Sequence, residues 1–219
     1  MYVLKGYAER SPIMDTTTDR ARVLDAADTL FYAHGIQAVG MDRIRDAAQV
    51  PLKRLYRAFP SKAALVEAYL RRRDAQGRAA LREYTDGFPD PKARILAVFD
   101  WLHGWYGQPE FRGCAFTNIY GELGEDSDPV YRAVRDHMDA VRDHLHALAA
   151  DTASPDPRAL AHQLHILLAG ATSLAAIHHT PDPALQARAT ARALLDALPE
   201  APAPASRPEG PAPSTAKGR

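Results

Sequence analysis

Cysteine is almost absent from this sequence, and so are long hydrophobic runs and net charge. A single cysteine, Cys114, occurs in 219 residues, which excludes an intramolecular disulfide and a zinc site built from several cysteines. The longest largely apolar stretch, residues 166–177, is too short to span a bilayer, and residues 1–10 lack the apolar core of a signal peptide. Because 27 basic residues balance 27 acidic ones, a polybasic tail protein is also excluded. We expect a cytoplasmic protein that has no membrane partner.

Patterns typical of β-strands and of common enzyme motifs are also missing. The sequence has no run of alternating apolar and polar residues rich in Val, Ile and Thr. It has no nucleophile-elbow, P-loop or dinucleotide-binding glycine motif. Its nine histidines have no carboxylate or thiol partners at the spacing of a metal site. We expect an all-α chain that is not an enzyme, needs no cofactor and holds no metal.

The sequence does contain signals that mark the starts of helices. Asp-Pro occurs four times, at Asp90, Asp128, Asp156 and Asp182, each time before an apolar pattern with helical spacing. Asp is a good N-cap and Pro suits the first helical position, so each dipeptide predicts a helix start. A first helix is predicted to start near residues 16–19, and a long one is predicted to start at a Ser61 cap. The predicted helices, about nine in all, cover residues 18–34, 41–48, 52–59, 62–84, 91–107, 114–123, 129–150, 157–178 and 183–198.

The two ends of the chain differ in composition from the rest. Residues 199–219 contain six prolines and five alanines and no aromatic or large aliphatic residue. Such a segment buries too little apolar surface to offset its ordering entropy, so we predict a disordered tail over residues 199–219. A flexible N-terminal arm is predicted over residues 1–15.

Two short predicted helices flank a tight turn at Gln49 and Val50, an arrangement typical of a helix-turn-helix. The side chains expected to pack inward from these two helices are Ile44, Ala47, Ala48, Leu55 and Phe59. The outer face of the second helix then carries Lys53, Arg54, Tyr56 and Arg57. Lys and Arg donate hydrogen bonds to phosphate oxygens and to guanine edges, so this face suits DNA. A plain solvated face remains an equal alternative, because exposed basic residues are common.

Charge is distributed unevenly along the chain. Residues 1–86 contain 15 basic and 11 acidic residues, whereas residues 87–219 contain 12 and 16. The first part therefore has a net charge of +4 and the second a net charge of −4. A positive front part agrees with DNA binding there, although so small a difference does not decide the matter.

Several segments resemble one known family. Residues 31–35, 41–44 and 55–65, with the pattern Leu-Tyr-x-x-Phe-x-x-Lys before a long helix, are similar to the TetR/AcrR family of bacterial transcriptional regulators. The segment 111–118, followed by Glu122, resembles the regulatory domain of one subgroup. The chain departs from the family at Gln49, where glycine is usual, at Val39 and Gly40, where a hydroxyl residue is frequent, and at Leu52, where lysine is frequent. These departures concern the operator sequence and leave the class of binding unchanged.

The resemblance implies a homodimer whose second and third helices read double-stranded DNA. By position, Leu52, Lys53 and Arg54 face base edges. The residues that approach phosphates are Tyr56, Arg57 and Lys62, with Arg43 from the preceding helix. The implied domains are a helix-turn-helix domain over residues 16–62 and a helical effector-binding and dimerisation domain over residues 63–198.

The resemblance also implies that the last two long helices pair with those of a second copy. The apolar residues expected at that interface are Leu160, Leu164, Leu167, Ala171, Leu174, Ala191 and Leu195. An apolar stripe alone is more often part of the chain's own core, so this alternative stays open.

The resemblance further implies an effector pocket in the C-terminal domain. Aromatic and polar residues concentrate between residues 99 and 122, where such a pocket is expected. The residues expected to line it are Trp101, His103, Trp105, Phe116, Asn118, Tyr120 and Glu122. Such a lining suits a flat or lipophilic small molecule with a few polar groups. Plain aromatic packing is the alternative for each of these residues.

The function expected from the sequence is therefore a DNA-binding repressor that a small molecule releases from a palindromic operator. Its partners would be double-stranded DNA, a second copy of the chain and an unidentified small-molecule effector. A helical small-molecule-binding or scaffolding protein that does not bind DNA is the alternative.

Overall fold

The computed structural model describes residues 12–125 and 127–199. Within these residues the chain forms nine α-helices and no strand, so the predicted all-α class is confirmed. The helices are α1 (Pro12–His34), α2 (Met41–Ala48), α3 (Leu52–Ala58), α4 (Lys62–Asp86), α5 (Pro91–Tyr106), α6 (Ala115–Leu123), α7 (Asp128–Ala150), α8 (Pro157–His178) and α9 (Asp182–Asp196).

The predicted helix bounds agree with the structure except at the first helix. That helix begins at Pro12 rather than at residue 18, so residues 16–19 lie inside it and do not cap it. It therefore reaches into the predicted N-terminal arm (1–15), of which residues 1–11 lie outside the described residues. The predicted tail (199–219) also lies outside them, apart from Pro199.

Of the five caps predicted at Ser61 and the four Asp-Pro dipeptides, three are confirmed. The Asp90 and Asp156 side chains each accept a hydrogen bond from the backbone N–H three residues later, at 2.7 and 3.0 Å. Ser61 caps α4 in the same way, at 3.1 Å. The predicted caps at Asp128 and Asp182 are wrong, because these residues already lie in the first turns of α7 and α9.

The hydrophobic core is divided into two clusters. The first cluster joins α1, α2, α3 and the first half of α4 to α6 and the start of α7. Phe59 and Tyr69 are its largest fully buried side chains. The second cluster joins the end of α4 to α5, α7, α8 and α9, around Phe99 and Leu164. Through Ala115, Phe116 and Ile119, α6 belongs to the same cluster as the N-terminal helices. Burying one large apolar side chain stabilises a fold by about 1.5–3 kcal/mol.

One predicted core residue of the helix-turn-helix is exposed. Ile44 and Ala48 are buried as expected, but Ala47 faces solvent. Because α2 has only eight residues and packs mainly on α1, Ile44 and Ala48 fill its narrow buried face.

Among the helices that the structure describes, α8 alone is long and apolar enough to cross a membrane by length and composition. A core helix passes the same test, and here α8 packs against α5, α7 and α9.

Candidate nucleic-acid interface

A left-handed residue shapes the turn between α2 and α3. Gln49 has φ 52° and ψ 45°. Its N–H donates to Asp46 O at 3.2 Å, and the N–H of Val50 donates to Arg45 O at 3.3 Å. This pair of bonds is the Schellman arrangement, which ends a helix and turns the chain sharply. Only three residues therefore separate the end of α2 from the start of α3.

The seven predicted DNA-contacting residues are accessible in the structure. Leu55 and Phe59 hold α3 in the core, at 0% and 1% exposure. The opposite face of α3 presents Leu52 and Tyr56, at 41% and 44% exposure. Its remaining exposed side chains are Lys53, Arg54 and Arg57. Arg43 is exposed on α2, and Lys62 is half-buried in the first turn of α4. The structure therefore brings the predicted basic and aromatic side chains of α3 onto one outer surface.

Three side chains of α1 hold α3 in place, and sequence reasoning missed them. Arg22 Nη2 donates to Gln49 O at 3.1 Å, before α3, and Arg20 Nη1 donates to Ala58 O at 3.1 Å, at its end. Between them, Arg54 Nη1 donates to Asp19 Oδ2 at 3.3 Å. A seven-residue helix is marginal on its own, so these contacts fix its position.

The sequence does contain a signal for Asp19. Asp19, Val23, Ala27 and Phe31 recur every four residues, so all four lie on one face of α1. All four are buried. A carboxylate in register with a buried stripe needs a partner, and here Arg54 supplies one.

The C-terminal part of the chain is hydrogen-bonded directly to the helix-turn-helix region. The Glu122 carboxylate accepts bonds from the N–H groups of Ile36 and Gln37 at 3.0 and 2.9 Å. Glu122 was predicted to line an effector pocket, but its carboxylate holds the loop between α1 and α2 instead. The sequence spacing alone could not pair residues that lie 85 and 86 positions apart.

A second connection joins α1 to the loop between α5 and α6. The Tyr32 hydroxyl accepts from the N–H of Arg112 at 2.9 Å and donates to Gly113 O at 3.0 Å. The Arg73 guanidinium lies 3.9 Å over the Tyr32 ring and donates to Asp28 at 2.8 Å. Burial raises the pKa of Tyr32 above its ordinary value. The hydroxyl therefore stays protonated and bridges the two backbone groups.

The predicted effector residues do not converge on one cavity. Trp101 and Trp105 lie together, with ring centres 5.8 Å apart, and Trp105 also contacts Phe111 at 5.1 Å. His103 lies half-buried on the same helix, α5. The other three residues lie elsewhere and serve separate contacts. Phe116 stacks on His137, Asn118 donates to Arg112 O, and Tyr120 is exposed beside Tyr131. Proximity in sequence does not place these side chains together because they leave α6 in different directions.

A charged groove of about 550 Å³ lies between α4, α5 and α7, and none of the predicted effector residues lines it. Its lining consists of Arg78, Arg82, Asp86, Arg94, Ala140, Asp143, His144, Ala147, Leu148 and Asp151. In the sequence, arginines at helical spacing look like an ordinary solvated face, so no signal pointed to this groove.

A half-buried His–Asp contact connects α4 to α7. His137 Nδ1 lies 2.8 Å from Asp74 Oδ1, and Arg78 donates to both oxygens of the same carboxylate. Burial lowers the pKa of His137, and Asp74 opposes this only in part. For Asp74, burial acts to raise the pKa, but the bonds from Arg78 and His137 outweigh it and hold the pKa below its usual range. Within the described residues, no three His, Cys, Asp or Glu side chains form a group that could hold a metal ion.

Most residues of the predicted dimer stripe lie in the protomer's own core. The buried members are Leu160, Leu164, Ala171, Ala191 and Leu195, which fill the contacts of α8 and α9 with α5 and α7. A side chain enclosed within one copy has little surface left for contact with another, so the exposed members of the stripe are the ones open to a second copy. Leu167 is half-buried, and Leu174 is 48% exposed. The most exposed apolar residues of α8 are Ile166 and Ile177, at 72% and 69%.

The fold and its exposed basic helix define a helix-turn-helix protein with a helical C-terminal domain. Residues 23–69 match the family described as bacterial regulatory proteins, tetR family. Residues 91–191 match the tetracyclin repressor-like C-terminal domain.

Solved structures of regulators are similar over most of the chain. One is a TetR-family transcriptional regulator from Streptomyces coelicolor, 32% identical, with a TM-score of 0.77, covering 84% of this chain and 97% of that one. Another is a TetR transcriptional regulator from Streptomyces avermitilis, 29% identical, with a TM-score of 0.72, covering 81% of this chain and 98% of that one.

A curated relative is similar over a shorter segment. It is the HTH-type transcriptional activator FasR of Mycolicibacterium smegmatis, 38% identical over 87 residues, covering 38% of this chain and 40% of the activator. Together with the family matches, these similarities show that the chain belongs to the TetR family of DNA-binding transcriptional regulators.

Proposed function

We propose that the protein acts in the cytoplasm as a homodimer that binds a palindromic operator and is released from it by a small molecule. The observation that carries DNA binding is the exposed face of α3, which follows a tight turn and presents Lys53, Arg54 and Arg57. A helix in this position can enter the major groove while its neighbour crosses the backbone. In a symmetric dimer the two α3 helices lie on half-sites one helical turn apart, or a multiple of that.

The residues of α3 divide into two roles. Leu52, Lys53 and Arg54 belong to its first turn, and the N-terminal residues of a recognition helix contact base edges. Tyr56 and Arg57 lie further along and approach phosphates. Arg43 on α2 and Lys62, in the first turn of α4, extend the phosphate contacts on either side of α3.

The second copy packs against the exposed apolar face of α8 and α9. Ile166, Leu174, Ile177 and Leu185 are 44–72% exposed, and large apolar side chains on one face are typical of an interface. Leu167, on the same helix, is half-buried and packs against the second core cluster. A twofold axis there would give an isologous contact.

The effector acts through the loop between α5 and α6. Trp101, Trp105 and Phe111 form a chain of aromatic contacts that leads directly to this loop. The loop backbone is bonded to Tyr32 of α1, and a Cβ on Gly113 would lie 3.1 Å from Ala176 of α8. A ligand that moves Phe111 therefore acts on α1 and α8 together. A ligand that binds the DNA-bound and the released arrangements of the dimer with unequal affinity shifts the population between them.

Selection of bound duplexes from a random pool tests DNA binding. We expect a palindromic site whose affinity falls steeply with salt, because each neutralised phosphate releases counterions. Arg57→Ala should lower the salt slope by about one unit on every sequence, since it removes one phosphate contact. Arg158→Ala, an exposed arginine of α8, is the matched control and should leave the slope unchanged. Absence of binding to every duplex at low salt would overturn the proposal.

The direction of regulation needs its own measurement. Binding over a promoter represses by blocking access, and we propose this direction although the Mycolicibacterium smegmatis relative is named an activator. A reporter gene behind the selected site should lose expression when the protein is present and regain it with an effector found by screening. A rise in expression on adding the protein would make it an activator.

A helical ligand-binding protein without DNA binding is the second candidate. The groove lined by Arg82, Arg94 and His144 supports it, because such a groove can hold a small molecule whether or not α3 contacts DNA. Ligand binding in a chain that ignores all duplexes would favour this candidate.

A further inference from the structure

We propose that Asp19 is a positioning residue for Arg54, so that a carboxylate of α1 sets which base pair the protein prefers. The proposal rests on the proposed function, because it needs α3 to lie in the major groove. Asp19 itself does not touch DNA in this arrangement; it acts through the guanidinium that does.

Asp19 is unusual within the described part of the chain. It is the one charged residue there that is buried, at 5% exposure, and its side chain is 7% exposed. Acidic side chains are almost never fully buried unless they are paired, because desolvating the charge is costly. The structure places this carboxylate behind the helix that carries the basic surface.

The geometry directs Asp19 at Arg54. Arg54 Nη1 lies 3.3 Å from Asp19 Oδ2, while the Arg54 side chain is 46% exposed. A guanidinium has five N–H donors in a rigid plane, so a bond at one nitrogen orients the whole fork. The buried carboxylate therefore holds Arg54 from behind and leaves much of its side chain accessible from outside.

Restricting this side chain matters for base reading. An arginine side chain loses rotamer entropy when it binds, so ordering it in advance lowers the cost of binding. A bidentate contact to a guanine edge also requires the plane of the guanidinium to be aligned with the base. Arg20 and Arg22 fix the backbone at the two ends of α3, and Asp19 fixes the side chain between them.

The base preference of Asp19→Asn tests the proposal. The amide is close in shape to the carboxylate but uncharged, so Arg54 loses a charge-assisted bond. We expect discrimination at one base pair of each half-site to fall by roughly tenfold in duplex selection, with the other positions unchanged. In the Arg54→Ala background the same substitution should change no position, because the two residues act through one contact. Asp19→Ser serves as a second variant if Asp19→Asn does not fold.

Asp25→Asn is the matched control. Asp25 is another carboxylate of α1, but it pairs with Arg72 of α4 at 2.7 Å. Asp25→Asn should leave the base preference unchanged, whatever its effect on the melting temperature.

The possible results separate a positioning role from a merely structural one. A lower melting temperature with an unchanged preference at every base pair would overturn the proposal. An equal change in the Arg54 and Arg54→Ala backgrounds would overturn it as well. If the unsubstituted protein binds no duplex, the proposed function fails and this inference fails with it. If it binds but Asp19→Asn reads the same site equally well, only the inference fails.

Discussion

Gln37 and Glu122 are joined by two hydrogen bonds that connect the loop after α1 to the last turns of α6. The N–H of Gln37 donates to Glu122 Oε2 at 2.9 Å, and Gln37 Nε2 donates to Glu122 O at 2.7 Å. Ile36 adds a third bond to the same carboxylate, at 3.0 Å. The helix-turn-helix region and the C-terminal helices therefore share a polar connection in addition to a hydrophobic core.

Removing this carboxylate should loosen the loop. We expect Glu122→Ala to lower the free energy of unfolding by about 2 kcal/mol, because two N–H groups lose a charged acceptor. Hydrogen exchange at the amides of Ile36 and Gln37 should become faster. Glu83→Ala, an exposed carboxylate on α4, is the control. Unchanged exchange at both amides would contradict the assigned role of Glu122.

A glycine makes the same contact possible. Gly35 has φ +82°, and a Cβ there would lie 2.8 Å from Glu122 Oε1. We expect Gly35→Ala to cost about 1–3 kcal/mol, from the left-handed backbone and from displacement of the carboxylate. Gly104→Ala, where a Cβ meets nothing within 4 Å on a helix, should instead stabilise by about 0.5–1 kcal/mol. Urea unfolding of both variants measures the difference, and equal effects would contradict it.

The turn before α3 offers a stabilising substitution. Gln49 has a left-handed backbone, which costs a non-glycine residue about 1–2 kcal/mol. Its hydrogen bonds with Asp46 and Arg22 use its backbone N–H and carbonyl. We expect Gln49→Gly to raise the free energy of unfolding by about 1 kcal/mol. Ala47→Gly, two residues earlier but inside α2, should lower it by a similar amount. A loss of stability in Gln49→Gly would mean that its side chain matters.

Acid should destabilise the protein well above the pKa of ordinary carboxylates. Burial lowers the pKa values of His137, His144 and His165. At a pH between each lowered pKa and the ordinary histidine pKa of 6.5, the unfolded chain binds more protons than the folded one. Their stabilising contribution is thus complete above about pH 6.5 and is lost as the pH falls below it.

Urea unfolding across this range measures the effect. The free energy of unfolding should change with pH by at most about 1.4 kcal/mol per pH unit for each of the three histidines. His144→Gln should make the slope smaller, since it removes one of the three titrations. An identical slope in this variant would show that His144 does not contribute.

Charge substitutions on α8 distinguish the proposed dimer face from the core. Ile177 is 69% exposed on α8, so Ile177→Glu should leave the fold intact and give monomers in sedimentation. Tyr84→Glu, at an exposed residue of α4, should leave the dimer unchanged. Leu164→Glu buries a charge at a fully enclosed position and should unfold the chain. A dimer that survives Ile177→Glu would place the interface elsewhere.

Contacts between residues close together in the sequence determined the helices and the exposed basic face of α3. Ser61, Asp90 and Asp156 cap helices through their own side chains, and the four-residue spacing of Leu55 and Phe59 decides which side of α3 faces outward. These features depend on neighbours a few positions away, so periodicity and capping preferences reveal them.

Only the tertiary structure decided which distant groups meet. Glu122 holds the loop after α1, Asp19 holds Arg54, and Leu164 faces the protomer's own core rather than a second copy. An apolar stripe or a carboxylate has the same local pattern whichever surface it meets. The choice depends on how the helices pack, because contacts across 35 or 86 positions leave no periodic signal in the sequence.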